Sequence, residues 1–184
     1  MTKPKFGKRD PKKVQQATLC FLIRKNEDQI DEVLLAMKKR GFGEGLWNGV
    51  GGKVSSKESF EEAAKRETQE EIEIELEGLE KVALLHFYFP DDLDKKDWNQ
   101  DVHVFFATDW AGEPQESEEM KPHWFTASKL PYNSMWDDDH LWLPRVLEGE
   151  KIEAWFSFGA DNKVIAHKID KRVFSGRTEK GLIG

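Results

Sequence analysis

Cysteine is nearly absent from this chain of 184 residues, which contains only Cys20. A single cysteine excludes an intramolecular disulfide framework, and its place in the apolar run TLCFLI predicts a small core residue rather than a reactive thiol. Long apolar runs are missing too, because no stretch is long and apolar enough to cross a membrane. These absences favour a reducing compartment, and we expect a cytoplasmic protein that does not bind membranes.

An excess of basic charge is also missing. The chain has 28 Lys and Arg against 35 Asp and Glu, which gives a formal net charge of -7. This balance disfavours a polynucleotide as the main partner. No internal repeat occurs, and the length fits one domain. We expect a mobile basic arm over residues 1–15, a single domain over residues 16–174 and a flexible tail over residues 175–184.

Short segments rich in β-favouring residues predict a sheet. Helices are expected over residues 58–72, with Ser55 and Ser56 as caps, and over residues 138–148, where Pro144 favours a kink or the start of a second turn. Strands separated along the chain, together with two helices, predict an α/β/α sandwich around a mixed β-sheet. The predicted strands are Thr18–Arg24, Glu32–Arg40, Trp47–Gly51, Lys81–Phe89, Asp101–Trp110, Lys121–Ala127, and a closing hairpin of residues 153–159 and 163–169.

The first predicted helix carries three carboxylates on an apolar face. At about 100° per residue, Glu67, Glu70 and Glu71 lie within roughly 100° of one another, on the side that also presents apolar residues. Inward acids repel one another and resist burial unless a cation joins them. A hard divalent metal with oxygen ligands is the natural cation, and it suggests a phosphate-bearing substrate.

A solvated, salt-bridged surface is the alternative explanation of a Glu-rich helix. Two features argue against it. Gly51 and Gly52 precede the helix and allow close approach of a ligand to the backbone. Arg66 has Glu62 four residues before it and Glu70 four residues after it, so its planar fork can brace a carboxylate.

These residues form the spaced pattern G-x5-E-x7-R-E-x2-E-E, which resembles the signature of the Nudix hydrolases. Two positions depart from that signature. Thr68 stands where an aliphatic residue is usual, and Glu73 replaces the glycine that commonly ends the signature helix. Without that glycine, we expect the left-handed cap to be harder to form. The matching residues are Gly52, Glu58, Arg66, Glu67, Glu70 and Glu71.

The resemblance implies hydrolysis of a phosphate bond with bound Mg²⁺, for which Mn²⁺ could substitute. It implies Glu71 as the general base, with Glu70 as the near alternative, and Arg66 as the residue that orients the acids. The implied metal ligands are the carbonyl of Gly51 and the carboxylates of Glu67, Glu70, Glu71 and Glu119.

Segments outside the signature are similar to the Nudix hydrolases that act on oxidised purine nucleoside triphosphates. The similarity covers residues 17–170 and includes the runs MKKRGFGEGLWNGVGGK and MWDDDHLWLP. It implies cleavage of 8-oxo-dGTP and 2-hydroxy-dATP to a nucleoside monophosphate and pyrophosphate, which sanitises the nucleotide pool. It also implies a base pocket with aromatic walls and polar groups at the base edge. The implied pocket residues are Thr18, Lys38, Phe42, Asn48, Phe87, Phe89, Trp136, Asp138 and Asp139.

The adjacent acids Asp138 and Asp139 allow two explanations. An acidic cluster before the run HLWL predicts a helix cap. The resemblance favours instead a pair that changes protonation to read different bases, which requires a raised pKa in at least one of them. Asp137 stands where the resembled enzymes usually have proline, and Gln100 where their pocket has methionine. The preference among oxidised purines therefore stays open.

Two other functions remain open from the sequence. A Nudix enzyme could hydrolyse another nucleoside diphosphate derivative, such as a dinucleotide polyphosphate or ADP-ribose, and only the pocket residues argue against this. A non-catalytic nucleotide-binding module is disfavoured by the intact signature acids. We expect a monomer whose partner is a small-molecule nucleotide. Trp98 is either a loop anchor or part of a pocket rim.

Overall fold

A mixed sheet of eight strands lies at the centre of the protein, with an α-helix packed on each face. The computed structural model describes residues 5–90 and 98–175. The predicted α/β/α sandwich is confirmed. The strands are β1 (Gln15–Asn26), β2 (Gln29–Lys38), β3 (Trp47–Asn48), β4 (Glu75–Tyr88), β5 (Gln100–Ala111), β6 (Met120–Thr126), β7 (Ile152–Phe158) and β8 (Val164–Lys171), and the helices are α1 (Phe60–Ile72) and α2 (Asp139–Leu147).

The strands follow the order β3-β2-β1-β5-β4-β7-β8, and β6 pairs with β2. β1 runs parallel to β5 and β4 parallel to β7, whereas β1 and β2 pair antiparallel. β1 and β2 pair only over residues 23–26 of β1. Nearer the start of β1, Ala17 and Cys20 pair with Lys53 and Val50. Residues 49–53, called the glycine loop below, are therefore held against β1.

Each face of the sheet has its own apolar core. α1 buries Phe60, Ala64 and Ile72 on one face. α2 buries Trp142 and Leu143 on the other. Full burial of a large apolar side chain contributes about 1.5–3 kcal/mol. These contacts fix both helices, and with them the acids that each helix carries.

The start of α1 differs from the prediction. Ser59, not Ser55 or Ser56, caps the helix, because its hydroxyl accepts from the backbone N–H of Glu62 while the Glu62 carboxylate accepts from the Ser59 N–H. This capping box uses Glu62, one of the two glutamates that we expected Arg66 to brace. A capping box satisfies two backbone donors at once, so it outcompetes a lone serine placed further upstream.

The end of α1 is closed without glycine. Glu73 adopts the left-handed conformation, with φ 61° and ψ 31°, and its N–H donates to the carbonyl of Gln69 at 3.1 Å. The left-handed cap, which we expected to be harder to form without glycine, does form here. The conformation costs roughly 1–2 kcal/mol for a residue with a Cβ. Burial of the adjacent Ile72 and Ile74 offsets that cost.

α2 runs through Pro144 as one helix from Asp139 to Leu147. Proline removes the N–H that would bond the carbonyl of His140. Because His140 is exposed, water can satisfy that carbonyl. The predicted break into a second turn is therefore wrong.

The predicted strand bounds differ most from the structure at the start of β4. This strand begins at Glu75 rather than Lys81, because Leu76 turns into the core while its acidic neighbours face solvent. Shifts of register on both sides of Gly78 keep this part of β4 paired with β5. The closing hairpin of β7 and β8 is confirmed.

The division into arm, domain and tail stays a prediction, although Arg9 of the arm contacts both β4 and β5. Residues 1–4, 91–97 and 176–184 lie outside the described part of the chain. The predictions for the outermost arm, the tail and most of the polar excursion at residues 90–99 fall there. Across residues 5–90 and 98–175, none of the helices has both the length and the apolar character needed to traverse a bilayer.

Candidate active site

The glycine loop approaches both β1 and α1 so closely that a Cβ at Gly49, Gly51 or Gly52 would lie less than 3.0 Å from another atom. The N–H of Thr18 donates to the carbonyl of Gly52 at 2.9 Å. A Cβ at Gly51 would lie 1.9 Å from the carbonyl oxygen of Thr18. A Cβ at Gly52 would lie 2.5 Å from the carboxyl carbon of Glu67. The loop therefore brings bare backbone against an acid of α1.

Arg66 binds carboxylates on both sides of its guanidinium. Its Nε and Nη2 donate to the two oxygens of Glu58 at 3.0 and 2.6 Å. Its Nη1 donates to Glu67 at 2.8 Å and to Glu70 at 3.3 Å. The hydrogen bonds from Arg66 lower the pKa of Glu58 to about 2, and Glu58 in turn raises the pKa of Arg66. Arg66 thus orients two of the three carboxylates of α1 that we predicted as metal ligands.

Glu71 faces the glycine loop. Its carboxylate accepts the backbone N–H of Gly51. Its Oε2 is buried and has no hydrogen-bond partner among the described residues. Burial, and then the charge of Glu67, raise the pKa of Glu71 to about 7, against the opposing charge of Lys38. Such an orphaned oxygen can be satisfied by a cation or by a proton.

The two remaining acids are more exposed. The side chain of Glu70 is 59% exposed. Glu119 pairs with Nη2 of Arg40 at 2.8 Å, and this hydrogen bond lowers the pKa of Glu119. The charge of Glu119 contributes to the raised pKa of Glu71, so it lies close to the acids of α1.

A pocket of about 300 Å³ opens beside the glycine loop. Residues from β1, β2, β4 and β5 and from the start of α2 line it, so it collects side chains that are far apart in the sequence. Gly51 also lines the pocket and connects it to Glu71. The nine predicted substrate residues all lie here: Thr18, Lys38, Phe42, Asn48, Phe87, Phe89, Trp136, Asp138 and Asp139.

Sequence reasoning missed other lining residues, among them Leu46, Val102, Met120 and Phe158. Three of these lie in strands, where alternation shows only that a side chain faces inward. Whether an inward residue packs in the core or lines a cavity depends on which loops cover it. Gln100 also lines the pocket, on the same face of β5 as Val102.

Polar groups occupy the buried part of this largely apolar pocket. Nε1 of Trp142 donates to Oδ2 of Asp138 at 2.9 Å, whereas Oγ1 of Thr18 and Oδ2 of Asp139 have no partner among the described residues. Burial raises the pKa of Asp138 to about 7 and raises the pKa of Asp139 well above its ordinary value. The side chain of Asp138 makes no capping hydrogen bond to α2. The structure thus favours the pocket explanation over the cap.

Aromatic rings form the mouth of the pocket. The ring of Phe42 lies 4.9 Å from that of Trp136 and 4.3 Å from that of Trp98, measured between centroids. Trp98 also contacts Phe89, so it packs against two residues that line the pocket. Asp137 accepts from the N–H of Val164 at 2.8 Å and so ties the loop of Trp136 to the β7–β8 hairpin. It contacts the hairpin and not the pocket.

The domain model described as "NUDIX domain" matches residues 13–146, which is well over half of the chain. The chain belongs to the Nudix family. It is 43% identical over 143 residues to the oxidized purine nucleoside triphosphate hydrolase of Danio rerio, covering 78% of this chain and 89% of that protein. It is 40% identical over 141 residues to the protein of the same name from Mus musculus, covering 77% and 88%.

Solved structures agree with this family. The fold is similar to the crystal structure of a MutT protein from Bacillus halodurans, with a TM-score of 0.72 and 25% identity. That likeness covers 85% of this chain and 98% of the other. The Nudix fold therefore extends over nearly all of the described residues.

Nudix hydrolases generally need a divalent metal, and the donors around the glycine loop fit one. In their present orientations, no three acids, histidines or cysteines among the described residues lie close enough together to hold a metal ion. Glu67 and Glu70 point towards Arg66 and bind it instead. The orphaned Oε2 of Glu71 and the Glu67 carboxylate against Gly52 nevertheless supply hard oxygen donors. Arg66 keeps Glu58 as a partner if it releases the other acids.

Replacement by alanine is expected to have different effects at Gly51 and at Gly52 of this Nudix site. Gly51→Ala should destabilise the fold by about 3 kcal/mol or more, because its Cβ meets the backbone of β1. Gly52→Ala should cost less stability but lower turnover at least about tenfold, because its Cβ displaces the flexible end of Glu67. Urea unfolding and turnover measured on both variants check this contrast. Equal losses of stability would contradict it.

The buried acids of the pocket predict a pH-dependent stability difference. In the folded state Asp139 holds its proton more tightly than in the unfolded chain, so its contribution is present below about pH 4 and is lost as pH rises. Asp139→Asn keeps the shape and cannot ionise. Its free energy of unfolding relative to wild type should therefore rise between pH 4.5 and 8. Urea titrations at several pH values measure this difference, and Asp109→Asn, at an exposed position, is the control. If the free energies of unfolding of Asp139→Asn and wild type changed in parallel with pH, the prediction would be refuted.

Proposed function

We propose that this Nudix protein is a Mg²⁺-dependent enzyme that cleaves oxidised purine nucleoside triphosphates, such as 8-oxo-dGTP and 2-hydroxy-dATP. The products are a nucleoside monophosphate and pyrophosphate. The observation that carries the proposal is the pocket, in which aromatic walls enclose two buried acids and one end opens on the glycine loop. The names of the relatives from Danio rerio and Mus musculus support it.

The pocket matches the chemistry of an oxidised purine. Trp136 offers an indole face to the flat base, and Phe87 and Phe89 add apolar walls. Two adjacent acids that share a proton present one hydrogen-bond donor and one acceptor. The edge of 8-oxoguanine carries an acceptor and a donor that can pair with them. The side-chain oxygen of Asn48 accepts the N–H of Gly49 at 2.8 Å, which leaves its amide nitrogen to donate to the base.

The triphosphate would extend from the pocket along the glycine loop. Lys38 lines the pocket and supplies a positive charge for it. Glu67, Glu70 and Glu71, with the carbonyl of Gly51 and with Glu119, would hold Mg²⁺. When bound, the metal neutralises charge that develops on the departing pyrophosphate.

Glu71 is the proposed general base. Its buried Oε2 has no partner among the described residues and can take a proton from the attacking water. Without metal, burial and the charge of Glu67 raise the pKa of Glu71 to about 7, and a bound cation would lower this pKa and favour the ionised form that a base requires. Glu70 is the alternative base, but its side chain is 59% exposed and pairs with Arg66 at 3.3 Å. Arg66 orients the acids from the side of Glu58.

The proposal includes the setting of the enzyme. We propose a monomer with one domain over residues 16–174, acting on free nucleotides in the cytoplasm and not on polynucleotides. The net charge of -7 supports the last point. The single buried Cys20 supports a reducing compartment.

Identification of the products formed from 8-oxo-dGTP tests the reaction. With Mg²⁺, the enzyme should release 8-oxo-dGMP and pyrophosphate, and chelation of the metal should abolish turnover. Mn²⁺ replacing Mg²⁺ should restore part of the rate. Release of inorganic phosphate and a nucleoside diphosphate would contradict the proposed bond cleavage, and tight binding without turnover would favour a non-catalytic module.

A further inference from the structure

Arg9 lies before the segment that matches the Nudix domain, yet its side chain is only 13% exposed. Its Nη1 donates to the carbonyl oxygens of Phe87 at 3.3 Å and of Gln100 at 3.1 Å. The same nitrogen pairs with Oδ1 of Asp101 at 2.8 Å, and the guanidinium covers the ring of Tyr88, 4.3 Å from its centroid. Arg9 thus bridges the end of β4 and the start of β5.

The two bridged carbonyls belong to walls of the pocket. Phe87 and Gln100 are partners in the β4–β5 register, and both line the pocket. The ladder ends at this pair, and just beyond it the N–H of Phe89 donates to Oδ1 of Asn99 at 2.8 Å. A pair at the end of a ladder has fewer neighbours than an internal pair, so it frays more readily. A guanidinium that binds both strands opposes this fraying.

Arg9 is itself held by a polar network on the opposite face of the sheet. Nδ1 of His86 lies 2.7 Å from Oδ1 of Asp101, and Nε2 of His86 lies 2.8 Å from Glu153 on β7. Nε2 of Gln16 donates to Asp101 at 3.3 Å. Asp101 is thus held directly from β1 and β4 and, through His86, from β7, and a fixed carboxylate fixes the guanidinium that pairs with it.

We propose that Arg9 is a positioning residue for the substrate pocket, holding Phe87 and Gln100 at the spacing that the base requires. The inference rests on the proposed function of this pocket as the nucleotide site. Arg9 faces away from the substrate and acts through the two backbones. Arg9 contributes to substrate binding and not to the chemical step, because it makes no contact with the acids of α1 that would carry the chemistry.

Arg9→Gln is expected to raise the KM for 8-oxo-dGTP roughly tenfold while kcat changes less than about twofold, because binding is weakened equally in ground and transition states. Lys8→Gln removes one positive charge from an exposed neighbour and should leave both constants unchanged. An unchanged KM in Arg9→Gln, or an equal rise in Lys8→Gln, would overturn the proposal.

Arg9→Lys separates the planar guanidinium from its charge. Lysine can keep the pair with Asp101, but it lacks the planar group that covers Tyr88 and directs Nη1 at both carbonyls. KM should therefore rise about threefold in Arg9→Lys, and this variant remains available for assay if Arg9→Gln proves too unstable. A wild-type KM in Arg9→Lys would contradict the role of the planar group in holding the two carbonyls.

Hydrogen–deuterium exchange gives a readout that does not depend on activity. Amides of residues 85–90 and 99–102 should exchange at least about threefold faster in Arg9→Gln than in wild type or Lys8→Gln. Failure of wild type to hydrolyse any oxidised purine triphosphate would refute the proposed function and leave this prediction intact. Unchanged exchange in Arg9→Gln would refute the role of Arg9 alone.

Discussion

Glu71→Gln is expected to lower kcat for 8-oxo-dGTP by about a thousandfold or more. Glutamine keeps the shape of the side chain but cannot take a proton from water, and general base catalysis contributes about 10²–10⁴-fold. It also removes one negative charge from the donors around the glycine loop. Steady-state kinetics with saturating Mg²⁺ measure the effect, and circular dichroism verifies that the variant folds.

Glu75→Gln is the matched control, because Glu75 is exposed at the start of β4. Its kcat should stay within about twofold of wild type. Glu70→Gln should reduce kcat less than Glu71→Gln does. A kcat near wild type in Glu71→Gln would remove Glu71 from the base role, and a larger loss in Glu70→Gln would transfer that role to Glu70.

Trp136→Ala is expected to raise the KM for 8-oxo-dGTP about ten- to a hundredfold. Stacking of a base on an aromatic side chain contributes about 1–3 kcal/mol, and a tenfold change in binding corresponds to about 1.4 kcal/mol. Trp136 also packs on Phe42, so its removal loosens a second wall of the pocket. Kinetics over a wide range of substrate concentration separate this effect from a change in kcat.

Trp110→Ala controls for the loss of an indole. Trp110 stacks on Trp124 and lines no part of the pocket. Its KM should match wild type even if its melting temperature falls. A KM in Trp136→Ala equal to that of Trp110→Ala would place the base elsewhere than against Trp136.

The parts of the site that could be predicted from the sequence are those set by local spacing. Helical periodicity alone placed Glu67, Glu70 and Glu71 on one face, and a helix over these residues is what the structure shows. The predicted cap residue of α1 was wrong because Ser59 caps the helix, where Glu62 completes a capping box. At the other end of α1, Glu73 adopts the left-handed conformation although it has a side chain.

The parts that could not be predicted depend on contacts between distant residues. The placement of Asp137 on the β7–β8 hairpin follows from a hydrogen bond across 27 positions of the chain. The contacts of Arg9 with β4 and β5 span 78 and 91 positions. No local pattern carries such information, because it arises only when the sheet has assembled. The nine pocket residues came from resemblance to a family and not from periodicity.

Competition between nucleotides in one mixture tests the central claim most directly. Equal amounts of 8-oxo-dGTP, dGTP, ADP-ribose and a dinucleotide tetraphosphate are incubated with the enzyme and Mg²⁺, and the loss of each is followed by chromatography. The buried acids and aromatic walls predict that 8-oxo-dGTP disappears at least about tenfold faster than dGTP, and also faster than ADP-ribose and the dinucleotide tetraphosphate. Equal loss of 8-oxo-dGTP and dGTP, or fastest loss of ADP-ribose, would contradict the assignment of the pocket to an oxidised purine.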